Sequence, residues 1–144
     1  MTHEDKGHYK AKHPAGLEVK PEAAEAVKEK ASEGKISCAA AFKIARDLGL
    51  PPAEVGFTID SLEIQITHCQ MGIFGYSGQK KVRPIDTVPD DLKEAIFGSM
   101  VDGKLPCKNA WEIAGNLELG KMDIASACDT LEIKISSCQL GAFK

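Results

Sequence analysis

No stretch of this 144-residue chain approaches the roughly 18 consecutive apolar residues that a membrane-spanning helix needs. The opening MTHEDKGHYKAKHP likewise lacks the apolar run of a secretion leader. The expectation is a soluble, cytoplasmic protein with no membrane partner. Net charge is small: 18 Lys and Arg stand against 21 Asp and Glu, which argues against a dominant field for nucleic acid. Catalytic signatures are missing as well, with no phosphate-cradling glycine loop, no Gly-x-Ser-x-Gly and no His-Glu-x-x-His. The chain is therefore expected to bind rather than catalyse, and no cofactor is implied. Nor do its five cysteines form the close Cys-x-x-Cys pairs of common zinc modules; without an export signal they are expected to be reduced.

What is present is repetition. SLEIQITHCQMG at 61–72 returns as TLEIKISSCQLG at 130–141. At one fixed offset and without gaps, Cys38 meets Cys107, Ala41 meets Ala110, and Ile44-Ala45 meets Ile113-Ala114. Cys69-Gln70, Gly72 and Phe74 meet Cys138-Gln139, Gly141 and Phe143. The chain divides into a flexible N-terminal segment at 1–18, repeat 1 at 19–75, a basic linker or wing at 76–87 and repeat 2 at 88–144. Each copy alone is near the lower size limit for an independent core. The two are expected to pack on each other about a pseudo-twofold axis.

Within repeat 1, PEAAEAVKEKASEG opens on Pro21 and closes on Gly34, which predicts a first helix. SCAAAFKIARDLGL offers Ser37 as a cap and places Ala41, Ile44, Ala45 and Leu48 at helical spacing, and Gly49 ends it. A third helix begins at Pro51-Pro52 with Val55, Ile59 and Leu62 facing inward. EIQITHCQ then switches to period two, predicting strands at 64–69 and 133–138. The fold class is mainly α with short β. AFKIARDLGLPPAEVGFTIDSL resembles a helix-turn-helix, with small Ala45 letting the helices approach and Gly49 supplying the turn. With a leading helix and a trailing strand, each copy resembles a winged helix-turn-helix domain. The implied architecture is two tandem winged-helix-like repeats of three helices plus a strand. Copy two departs from the pattern at Glu118, which stands where Gly49 stands. The two trailing strands are expected to pair with each other across the pseudo-dyad and so cover their edges.

The resemblance implies DNA contact through the third helix and a regulatory or adaptor role, transcription regulation included. The residues oppose that helix as a reader. No Lys or Arg lies between Arg46 and Lys80, whereas Asp47, Glu54, Asp60 and Glu63 all do; duplex binding draws mainly on basic side chains. Basic residues gather instead in SGQKKVRP, so Lys80, Lys81 and Arg83 are the nucleic-acid candidates, against the plainer alternative of a solvated linker. Lys6, Lys10 and Lys12, with His3, His8 and His13, belong to the N-terminal segment, read as a disordered tail rather than a metal site.

For a protein partner the candidates are Phe57, Phe74 and Tyr76, aromatics placed away from the inward stripe or after the strand. Their alternative is to pack one repeat on the other. Cys38, Cys69, Cys107 and Cys138 recur at identical separation and are the thiol or metal candidates. Three readings stay open for them: small apolar core residues, a redox sensor with Cys38 lowered by a helix N-terminus, or metal ligands. Cys128 matches Ile59 and is read as core, as is Trp111, which matches Phe42. The leading reading is a non-catalytic tandem helix-turn-helix binding module with a protein partner or DNA. The alternative is a cysteine-based redox or metal sensor.

Overall fold

The computed structural model describes residues 18–77 and 80–144. The histidines and lysines of the N-terminal segment up to residue 17 lie outside the described residues. Pro21 opens helix α1 (Pro21–Lys30), whose missing N–H would have no helical partner in any case. The helix stops at Lys30, short of Gly34, because Ser32-Glu33-Gly34 offers no further apolar position to bury. Ser32 and Lys35 instead exchange backbone hydrogen bonds of 2.8 and 3.0 Å around Gly34 at φ 75°. This turn feeds strand β1 (Lys35–Ser37), then α2 (Cys38–Leu48), α3 (Pro52–Ser61) and strand β2 (Gln65–Thr67). The second copy repeats the order as α4 (Asp90–Gly98), β3 (Leu105–Pro106), α5 (Cys107–Asn116), α6 (Lys121–Thr130) and β4 (Ile135–Ser136).

The trailing strands do not pair with each other. β2 lies parallel to β1, with Ile36 opposite Ile66, and β4 lies parallel to β3, with Leu105 opposite Ile135. The reason is local: α2 and α3 together form the helical crossover that a parallel pair requires, so each strand finds a partner within its own copy. Ile36 and Ile66 are both buried by the pairing. Segment 76–87 carries no strand among its described residues and runs as a linker.

Duplication is written into the backbone as well as the sequence. Left-handed residues recur at matched positions: Glu33 with Asp102, Gly34 with Gly103, Glu63 with Glu132, His68 with Ser137, and Gly72 with Gly141. Gly49 at φ 65° is matched by Glu118 at φ 55°, so copy two keeps the turn without the glycine. The same wrap follows both, Leu50 N–H donating to Ala45 O at 2.9 Å and Leu119 N–H to Ala114 O at 2.9 Å.

The copies share one hydrophobic core. Phe42 packs on Trp111 with ring centroids 4.4 Å apart, and Phe74 meets Phe143 edge-on at 5.9 Å. Each residue here touches its own counterpart in the other copy. On the flank of that seam, the turn around Leu140 lies directly on α3 at Gly56. Val55 and Ile59 point into the core as expected, whereas Leu48 is exposed on the outer face of α2.

Candidate functional site

The parallel pairing decides where the repeated cysteines go. β1 runs straight into α2 at Cys38, and beside it β2 runs into the turn that begins at Cys69. Gln70 directs both its backbone N–H and its side-chain amide at Cys38 Sγ, the amide at 3.5 Å. Gln139 does the same to Cys107, at 3.6 Å. In the turn of copy two, the backbone N–H groups of Leu140, Gly141 and Ala142 are directed at Cys138. Matching bonds shape both turns: Cys69 N–H donates to Phe74 O and Cys138 N–H to Phe143 O, each at 3.1 Å.

All four cysteines line one enclosed cavity of about 10 Å³, closed by Phe42 and Trp111 together with Phe74 and Phe143. That is room for about one water-sized body. The cavity lies between the copies, since its walls include both self-contacting aromatic pairs. Trp111 Nε1–H is buried with no acceptor among the described residues.

Burial governs the thiols. It pushes Cys38 up to about 11 and Cys107 up to about 12; Cys69 and Cys138 add to the rise, and the Gln70 and Gln139 donors oppose it. Cys138 is also raised by burial, against its three N–H donors. The lowering expected for Cys38 at a helix N-terminus does not occur, because desolvating a thiolate outweighs the helix end. All five cysteines are free thiols. Among the described residues, no three His, Cys, Asp or Glu side chains already stand where they would share a metal ion.

The other candidates are less free than the sequence implied. Lys80, exposed on the linker, forms an ion pair with Asp129 on α6 at 2.6 Å. Lys81 stands over the Tyr76 ring at 5.7 Å, and Arg83 Nη1 reaches Lys80 O at 3.4 Å. Phe74, offered as a partner anchor, is buried against Phe143, because the turn folds inward rather than continuing outward from the strand. Tyr76 is half-buried and donates its hydroxyl to Cys69 O at 2.7 Å, with His68 edge-on to its ring at 5.2 Å. Phe57 is half-buried on α3.

No family model, curated protein or solved structure matches the chain. Its site is therefore defined by its own chemistry. Sequence reasoning missed Gln70 and Gln139 as thiol donors. The signal was the repeated Cys-Gln dipeptide, whose second residue reaches the cysteine that opens the second helix of its own copy, α2 or α5, rather than its own neighbour.

Proposed function

We propose that the chain is a non-catalytic regulatory module of two winged-helix-like repeats, and that the four-thiol chamber on their pseudo-twofold axis is its responsive part. The chamber takes one soft, thiophilic cation of the zinc or cadmium class. The observation that carries this reading is convergence: the four cysteines that duplicate reach one small cavity, whereas Cys128, which does not duplicate, lines another. Apolar packing alone has no use for N–H donors aimed at sulfur. Donors on Cys38, Cys107 and Cys138 favour the thiolate form and play the orienting role of groups behind metal ligands. Thiol–disulfide exchange is less well supported, because thiols raised to about 11 and about 12 expose little thiolate at neutral pH. Cation uptake releases those protons directly, so affinity rises with pH. Among the described residues no three of these side chains stand in a metal-sharing arrangement, so a bound cation would require Cys38, Cys69, Cys107 and Cys138 to close on it.

The test is titration of the reduced chain with Cd²⁺, followed by thiolate-to-metal charge-transfer absorption. One equivalent per chain is expected, lost in Cys38→Ser and Cys138→Ser and kept in Cys128→Ser. Absence of the band, or its survival in both chamber variants, overturns the reading. The helix-turn-helix resemblance separately implies duplex contact. With Lys80 held by Asp129, that contact falls to Lys81 and Arg83. Titration of nonspecific duplex at low and high salt tests it, and no binding at low salt removes it.

A further inference from the structure

The two copies differ on the flank where each third helix meets the other copy or the linker. On α3, a Cβ at Gly56 would fall 2.7 Å from the carbonyl carbon of Leu140, so the glycine is what lets the turn lie flush on the helix. The matching residue on α6 is Ala125, whose methyl denies the same approach. One turn further along α6, Cys128 stands where α3 has the larger Ile59. Ala125 and Cys128 are both buried, and form the floor of the surface that lies over them. On this side a cavity of about 320 Å³ lies against α6, walled by Ala125, Cys128, Val82 and Ile135.

Its charged residues also differ between copies. Lys134 lines the cavity where the first copy has Gln65. It is exposed and makes no ion pair among the described residues. Lys80 and Asp129 line the cavity too, but they neutralise each other at 2.6 Å. The uncompensated charge at the opening is therefore positive, over an apolar wall.

We propose that this cavity binds a small organic anion with an apolar body, of the medium-chain carboxylate class, its chain against Ile73, Ile133 and Ile135 over the Cys128 floor and its carboxylate at Lys134. The site is half open, and its volume of about 320 Å³ leaves room for a short alkyl chain lying along the wall. A charge-assisted bond to Lys134 fixes the head group, and the apolar wall holds the chain. The site shares the walls Ile73 and Ile135 with the thiol chamber but none of its cysteines, so loss of octanoate binding with the cadmium band retained identifies failure of this site alone.

The probe is sodium octanoate, titrated into the full chain by calorimetry, with n-octanol and octylamine as comparison ligands. Saturable one-to-one binding is expected, with octanol weaker and octylamine silent. Two variants install the first copy's own residues and are therefore expected to fold, as checked by circular dichroism. Lys134→Gln weakens octanoate about tenfold, and Cys128→Ile fills the cavity and abolishes binding. No saturable binding, octanol as tight as octanoate, or Lys134→Gln with unchanged affinity overturns the proposal.

Discussion

Gly56 and Gly115 both lie in helices, and replacing each with alanine should change stability in opposite directions. In an open helical position the substitution stabilises by roughly 0.5–1 kcal/mol, since alanine loses less backbone freedom on folding. Gly115 on α5 is such a position, with nothing within 4 Å of an added Cβ. At Gly56 the same gain is opposed by overlap with the backbone of Leu140, whose carbonyl carbon would lie 2.7 Å away. Backbone atoms cannot swing aside as a side-chain end does, and forced overpacking costs about 1–3 kcal/mol. The net expectation for Gly56→Ala is a loss of about 1–2 kcal/mol. Urea unfolding followed through Trp111 fluorescence measures both variants, with the midpoint falling for Gly56→Ala and rising for Gly115→Ala. If Gly56→Ala is stabilised as much as Gly115→Ala, the second copy's turn does not rest on α3 and the interlocked packing is wrong.

Glu118 holds a left-handed φ of 55° where the first copy has Gly49; Glu118→Gly should stabilise by about 0.5–1 kcal/mol in the same urea assay, and an unchanged midpoint would contradict the strained turn. Raised thiols make stability fall with alkali: folded values of about 11 for Cys38 and about 12 for Cys107 exceed the ordinary 9.0. Their contribution is complete below pH 9 and lost as pH climbs through 11 to 12, because only the unfolded chain ionises in that window. Melting temperatures from pH 8 to 11 should decline, and less steeply in Cys38→Ala; a flat profile would refute the buried chamber. Lys80→Ala should cost under about 1 kcal/mol, since its partner Asp129 and Lys80 itself are both partly exposed, and a larger loss would give the linker a structural weight not described above.

Much of this architecture was legible because repetition constrains twice. Helices α2 and α3 were fixed by Ser37, Gly49 and Pro52 together with the spacing of Ala41, Ile44, Val55 and Ile59. Strands β1 and β3 were not, because each lies between a tight turn and a helix start, without the flanking alternation that EIQI and EIKI add to the equally short β2 and β4. Missing them misdirected the pairing of β2 and β4, whose own alternation says nothing about which neighbour they take. The thiols were identified as a matched set, but their meeting across the seam depends on a parallel pairing that no single segment encodes. Of the two uses left open for Phe74, packing of one repeat on the other is the one the contact with Phe143 matches, since the left-handed glycine at position 72, φ 76°, turns the chain inward just before it. The cavity over α6 was visible only as two small differences, Ala125 for Gly56 and Cys128 for Ile59, whose consequence depends on packing against the linker.

Pulsed alkylation of the reduced chain across a urea series, with each cysteine resolved by mass spectrometry, asks directly whether the two copies close as one body around their shared thiols. Cys38, Cys69, Cys107 and Cys138 should all be protected in dilute urea and become labelled together in a single transition. Labelling of Cys38 and Cys69 at one urea concentration and of Cys107 and Cys138 at another would mean two independent units with no common chamber.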